Sequence, residues 1–512
     1  MTSTTTLRAG KGAVTGSSRA AVDAGLAMLA AGGNAVDAAV ATALASCVAD
    51  CCNTGLGGYG GHMVIAPAEG PAVCVDFNAW QPGCLDDREI GAARAGNGPE
   101  ASCIPNVVAG LDRALAAHGS LRWEAVCAPA IRLAEEGVVM NNTTRHAFAE
   151  VRDQAFLKDA FRIGAAGPAS VFRQPLLAAT LCSLAEHGAD WFYTGPVAEA
   201  ACAAWRELGR EVTADDFAGA LEAVSVSPAA VAQVGGSSLA LAPPGTSGSV
   251  SALATMAAGA GRLRNGEAET ADGIADWAER IAGAWAYRMG TRDGNRFADG
   301  AGLDTWLAAA LECRPAARLR PANGHTCHLN AADGDGTLVA LTLTHGPQWF
   351  GARWVLPGTG IVMNAGMGLF ADTPAQRRDG RAYAVTNMAP SVARGPDGAR
   401  LAVGCPGGRR IPTNVGMVLA RHLFGGMPLQ QAVAAGRVHA ETTRRAGVES
   451  GRLPAGSADV LARRFHRVRE EDWRHYFGPL TAIRLSPEGA VELGLDDREV
   501  NGYGSEANPC TR

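Results

Sequence analysis

No stretch of this sequence stays uncharged and apolar for the roughly 18 residues that a membrane-spanning helix requires. The opening segment MTSTTTLRAGKGAVTGSSRAA also lacks the charged-then-apolar order of a signal peptide. Neither a membrane span nor export is expected, and the cytoplasm is the expected compartment. An excess of positive charge is missing too: 45 Lys plus Arg face 50 Asp plus Glu, for a net charge of -5. That balance offers no cationic field to a nucleic acid or an anionic bilayer, so neither is expected as a partner. The 13 cysteines contain no C-x-x-C pair, and an odd number scattered along the chain does not make a secreted disulfide framework. What is present is a globular balance, 47% hydrophobic and 19% charged over 512 residues. Glycine is in excess, 65 residues or about 13% where about 7% is usual. Without a Gly-X-Y period, that excess points to tight turns and to a site lined by backbone.

The chain changes character twice. Near the N-terminus, SSRAAVDAGLAMLAAGG and NAVDAAVATALASCVAD read as buried Ala-rich helices, the first stopped at Gly32 and Gly33 and the second capped by Asn34. A glycine-rich turn follows, then MVIAP and AVCVDF as a hairpin around AEGP. From about 105 to 310 apolar residues recur at three and four spacing and predict mainly helices forming outer layers, with an exposed loop in RLRNGEAETADG. The last third returns to hairpins: HLNAADGDGTLVALTLT, SVARGPDGARLAVG and LTAIRLSPEGAVELG, with VGMVLARHLF and LQQAVAAGRVHAE predicted as helices between the last two. Helices, then strands, then helices predict sheets covered on both sides.

Three apparent motifs carry little. GLGGYG, Gly55 to Gly60, satisfies G-x-G-x-x-G, yet a dinucleotide site needs a strand before it and a helix after it, and here the order is reversed. HTCH places His325 and His328 on opposite faces of any strand, which disfavours a shared metal. Cys47 and Cys51 stand at helical spacing, where buried cysteines acting as small hydrophobes are the commoner explanation.

The segment from 321 to 367, PANGHTCHLNAADGDGTLVALTLTHGPQWFGARWVLPGTGIVMNAGM, is different. It resembles the nucleophile region of the γ-glutamyltranspeptidase family, with Thr326, His328, Asp333, Gly336, Thr342, Thr344, Phe350 and Gly351 at matching spacing and one extra residue before Phe350. Further similar segments run almost end to end: AGGNAVDAAVATAL with GLGGYGG, IPNVVAGL, WFYTGPVAEA, APPGTSG, VGCPGGRRI and GLDDREVNGYG. The resemblance implies an N-terminal-nucleophile (Ntn) hydrolase with an α/β, four-layer αββα sandwich of two stacked, mainly antiparallel sheets. It also implies an inactive precursor that cuts itself at His325–Thr326 into a large subunit, 1–325, and a small subunit, 326–512. The chemistry of the residues agrees. A threonine hydroxyl is a weak nucleophile without a base, and a chain cut there would give Thr326 its own α-amine, near pKa 8, as that base. Thr344 ends the second strand of the hairpin, so pairing returns its hydroxyl to Thr326; the resemblance assigns it a supporting role. Gly407 and Gly408, just before a helix, match the family's oxyanion-hole glycines and can offer two backbone N–H groups.

The family's substrate clamp is largely absent. Asn78 stands where the resemblance places an arginine against the glutamyl α-carboxylate, and a neutral amide does not replace a bidentate guanidinium. Gly346, Gly366 and Leu369 occupy the positions expected to hold the α-amine, and Thr386 and Asn387 replace a pair of serines. Several charge-assisted hydrogen bonds of about 1.5–3 kcal/mol each are thereby lost. The segment between Phe370 and Thr386 is shorter than the family's lid region, which predicts a more open site, and Trp80, Trp349, Trp354 and Tyr59 are candidates for an apolar wall. The expectation is an autoprocessing hydrolase that cleaves an acyl bond, amide-type or C–C, of a small molecule other than free γ-glutamyl, in specialised metabolism. No cofactor or metal is expected. The expected partners are the small-molecule substrate and the two processed subunits, with a dimer of such pairs as a further assembly. A genuine γ-glutamyl transferase and an uncut binding or scaffold protein are the alternatives.

Overall fold

The structure is a computed structural model and describes residues 6–8, 12–80, 97–164, 170–264, 269–290, 302–316, 324–371, 376–378, 381–449, 451–471, 476–498 and 502–505. Two seven-stranded antiparallel sheets stack face to face. The first runs, edge to edge, Gly502–Ser505, Gly12–Gly16, His325–Asp333, Leu338–Gly346, Gly60–Ala66, Val73–Asp76 and Ser225–Pro228. The second runs Thr6–Arg8, Ala490–Leu495, Thr481–Leu485, Arg400–Gly404, Ser391–Arg394, Ser237–Leu241 and Ala230–Val234. Each sheet therefore mixes strands from before and after position 325.

Strand alternation builds the layers. In Leu338–Gly346, Val339, Leu341 and Leu343 join the core beneath the outer helices, while Leu338 and Ala340 face the other sheet. The layer between the sheets is made largely of small residues, among them Ala13, Ala66, Ala240, Ala332, Ala340 and Ala402. The first sheet is covered by helices Arg19–Ala30 and Ala35–Ala49, the second by Ser249–Arg264 and Arg410–Leu423. Helix Ala35–Ala49 is buried at all 15 positions, which explains a sequence apolar all round. Its start is fixed by Asn34, whose side chain accepts from the N–H of Val36 at 2.8 Å and of Asp37 at 3.1 Å, with Asp37 returning a carboxylate to the Asn34 N–H at 2.7 Å.

The expected hairpins around AEGP, DGDG, GPDG and SPEG all form. The structure departs from the expectations in three details. The helix-rich middle hides a further hairpin, Ala230–Val234 with Ser237–Leu241, closed by Gly235 and Gly236 at φ +58° and +87°, the two-residue turn that matches strand twist. LQQAVAAGRVHAE is only half helix: Leu429–Ala434 is helical, and Val438–Thr442 pairs as a strand with Arg445–Val448. Helix Ala35–Ala49 ends before Cys51, so Cys47 and Cys51 do not share it, though both are buried. The expected loop at 262–273 connects helix Ser249–Arg264 to helix Ala271–Gly290, and its centre, 265–268, lies outside the described residues. Part of the GLDDREVNGYG segment, 499–501, lies outside them as well.

Candidate active site

His325 and Thr326 are joined at the head of strand His325–Asp333, so the structure is that of the uncut chain. The ladder to Leu338–Gly346 is broken there: His325 pairs with Gly346 and Cys327 with Leu343, leaving Thr344 and His345 opposite the single Thr326. This β-bulge re-aims the side chains around Thr326. The Thr344 hydroxyl donates to the carbonyl oxygen of His325 and accepts from the Gly346 N–H at 2.9 Å. Thr344 thus holds the carbonyl of the bond that self-cleavage would break. Thr326 is buried, and its hydroxyl makes no hydrogen bond to a described residue.

Gly407 and Gly408 lie across from this peptide at φ +127° and +59°, in the left-handed region that favours glycine. A Cβ on Gly324 would stand 2.6 Å from Gly408 Cα and 3.3 Å from its nitrogen, so the two backbones touch only because Gly324 lacks a side chain. Neither glycine donates its N–H to a described residue, and unengaged backbone donors are what an oxyanion site requires. Behind the loop, Arg437 is buried against Asp496 at 2.5 Å and donates to Gly478 O at 2.8 Å, fixing the segment that backs Pro406 and Gly407.

Below the strand, polar groups are paired. Asn330 donates its amide to Thr15 and Thr481, so its oxygen accepts from His328 Nε2–H at 3.1 Å, and His328 Nδ1 accepts from the Thr342 hydroxyl at 2.8 Å. Burial pushes the His328 pKa down to about 3 and that of His345 to about 4, so both are neutral. His325 points the other way, its ring 4.8 Å from Trp349, which places the two histidines of HTCH on opposite faces as expected. Cys327 lies beside Ser17 at 3.4 Å, and burial raises its thiol pKa well above the ordinary value. Nearby Asp50, pushed up to about 6 by burial, accepts from Ser17 at 2.7 Å and Asn53 at 2.8 Å.

A cavity of about 280 Å³ opens on Thr326, lined by Gly324, Trp349, Gly407, Arg410 and Tyr476 among others. None of the six positions of the expected substrate clamp lines it. Each of the six is instead occupied by its own neighbours. Asn78 is buried and donates to the Ala384 carbonyl. Gly346 is engaged with Thr344, and the Gly366 N–H donates to Asn364 Oδ1 at 2.9 Å. Leu369 packs with Tyr59, Cys103, Met367, Phe370 and Met388 in an apolar cluster. The Thr386 hydroxyl lies 3.3 Å from His62 Nε2, and Asn387 Oδ1 accepts from Arg288 at 3.1 Å. Of the four candidate wall aromatics, only Trp349 lines the cavity: Tyr59 is in the apolar cluster, Trp80 stacks on Tyr383, and Trp354 packs near Trp205. The expected short lid contains a small hairpin, Gln376–Arg378 with Arg381–Tyr383, and 372–375 and 379–380 lie outside the described residues.

Sequence reasoning missed two residues. Asn364 joins three segments, donating to Gly57 O at 2.8 Å and Cys103 O at 2.9 Å and accepting from the Cys103 and Gly366 N–H groups. Arg410, in the cavity wall, opens helix Arg410–Leu423, where a cation opposes the helix dipole; that local conflict was its available signal.

Two stacked antiparallel sheets between helix layers are the architecture of the Ntn hydrolases. The chain belongs to the γ-glutamyltranspeptidase family: the model described as "Gamma-glutamyltranspeptidase" matches residues 21–505. It is 29% identical to the oxamate amidohydrolase proenzyme of Klebsiella pneumoniae, over 92% of this chain and 94% of that one. It is 30% identical to the acylase ACY 1 proenzyme of Pseudomonas sp. strain SE83, over 91% and 88%. Its fold is similar to the crystal structure of cephalosporin acylase from Bacillus halodurans, with a TM-score of 0.83 at 23% identity over 99% of this chain and 97% of that one.

Proposed function

We propose that the protein is an autoprocessing amide hydrolase that cuts itself between His325 and Thr326 and then acts on a small acyl amide other than free γ-glutamyl. The observation that carries this reading is the Thr344 hydroxyl on the His325 carbonyl, with the N–H groups of Gly407 and Gly408, unengaged among the described residues, in the same loop that meets Gly324. In the self-cleavage step, Thr326 Oγ attacks the His325 carbonyl carbon, and the His325–Thr326 C–N bond breaks as the nitrogen takes up a proton. Water then hydrolyses the resulting ester, leaving a His325 carboxylate and a free Thr326 amine. That amine, near pKa 8, serves as the base when the same hydroxyl attacks a substrate amide. The pieces 1–325 and 326–512 stay together because both sheets contain strands of each.

A substrate other than γ-glutamyl is supported by the state of the clamp positions, which are neutral, buried or engaged internally, and by the two amide-cleaving names among the relatives. The substrate belongs to specialised metabolism in this reading. The test is the intact mass of the wild-type protein beside Thr326→Ala, followed by a panel of amides that includes a γ-glutamyl anilide. Two chains breaking at 325–326 in the wild type and one in the variant are expected. One uncut chain in both refutes the reading, and Thr326-dependent turnover of the anilide above all other amides refutes its substrate half.

A further inference from the structure

The wall of the cavity beside Thr326 contains a cation with no counter-ion among the described residues. Arg410 makes no hydrogen bond or ion pair with any described residue, and its Nε is buried without a partner. Its one contact of note is the ring of Tyr476, with the guanidinium carbon 4.7 Å from the ring centroid. The two carboxylates whose charges reach it are already taken. Glu441 is bound by Arg409 at 2.7 Å and by His439 at 3.0 Å, and Glu471 by Arg445 at 2.8 Å and Arg469 at 3.2 Å. Three arginines around two carboxylates leave Arg410 as the fourth cation of the group, facing the cavity. Burial holds its pKa below the ordinary arginine value, the expected cost of desolvating a guanidinium without a partner. The acid that lines the cavity, Glu150, is exposed and stands 3.6 Å from His146 Nε2.

Resting on the amide-hydrolase reading above, we propose that Arg410 is the specificity-determining residue of this site and that the substrate is an amide bearing a free carboxylate, bound by the Arg410 guanidinium. A guanidinium offers a planar fork of N–H donors that matches a carboxylate bidentately. The guanidinium that Asn78 does not supply at the clamp position is in this reading supplied by Arg410 in the cavity wall. Tyr476 and Trp349 give the same cavity an apolar body for the rest of the molecule.

The test uses malonamate, succinamate and glutaramate against their methyl esters. In the wild type, kcat/KM is expected to favour the free acids. Arg410→Gln is expected to reduce the acid-to-ester ratio by about ten- to a hundredfold, mostly through KM, with Arg410→Lys falling between the two. A wild type without preference, or a ratio unchanged in Arg410→Gln, overturns the proposal. A second measurement does not depend on turnover. Calorimetry of glutaramate with the Thr326→Ala chain, with and without Arg410→Gln, is expected to show binding that the second substitution weakens by a similar factor. Equal binding in both overturns the proposal, as does no binding in either. Arg410-dependent binding in a wild-type chain that never cuts itself would refute the amide-hydrolase reading while leaving the carboxylate assignment standing.

Discussion

The surroundings of the His325–Thr326 peptide and the positions of the expected substrate clamp are built on opposite principles. Around the peptide, backbone and hydroxyl groups converge on one bond: Thr344 on the His325 carbonyl, Gly346 behind Thr344, and the bare backbones of Gly324 and Gly408 in contact. The positions that the family devotes to a glutamyl group are instead closed by their own neighbours. Asn78 is bound to Ala384, Asn387 to Arg288, and Leu369 lies among Tyr59, Met367 and Phe370. In the proposed reading, chemistry and recognition are therefore separable in this fold, because the first depends on backbone geometry fixed by the bulge and the second on side chains that can be exchanged without moving a strand.

Removing the Thr344 hydroxyl should break the surroundings of the peptide most severely. Thr344→Val keeps shape and β-propensity but removes the donor to the His325 carbonyl, and self-cleavage followed by mass spectrometry should slow by about 10²–10³-fold. An unchanged rate would mean that the carbonyl is polarised by something else. Asn78→Arg asks whether the clamp can be reopened. A guanidinium there would enter a buried site without a carboxylate, so stability should fall by about 1–3 kcal/mol with no gain in γ-glutamyl anilide hydrolysis. A stable variant with new γ-glutamyl activity would show that the clamp is merely one residue short.

The smallest effect concerns pH. His328 and His345, held down at about 3 and 4, favour the folded state above the unfolded histidine pKa of about 6.5, and that contribution is lost as pH falls through the window below it. Asp50, raised to about 6, acts with opposite sign, costing stability as pH rises from about 4 to 6. Asp50→Asn should therefore steepen the fall in Tm between pH 6.5 and 4 relative to wild type. A parallel or shallower curve would count against a buried charged Asp50.

Much of this was legible in the sequence because it depends on local signals. Asn34 before an apolar run announced its helix, the DG-containing turns announced their hairpins, and the spacing from Thr326 to Thr344 across a tight turn brought them together. The missed hairpin at 230–241 is short, and its Gly235–Gly236 turn stands amid helical periodicity; VAAGRVHAE suits helix and strand alike until Arg445–Val448 supplies a pairing partner. The bulge at Thr326 was invisible because it exists only in the register of two strands. Nor could any local pattern expose the isolation of Arg410, which depends on Arg409, Arg445 and Arg469 having already occupied Glu441 and Glu471.

The sharing of both sheets between the stretches before and after position 325 also bears on how the molecule could be lost and recovered. An uncut chain that unfolds can return by a first-order search, whatever its dilution. Once cut at 325–326, the same fold would need two separate polypeptides to meet before either sheet could be completed, so recovery would become a second-order event that fails at low concentration. Processing would then be a one-way gate: the native arrangement would persist through its barrier to unfolding rather than by continual re-equilibration.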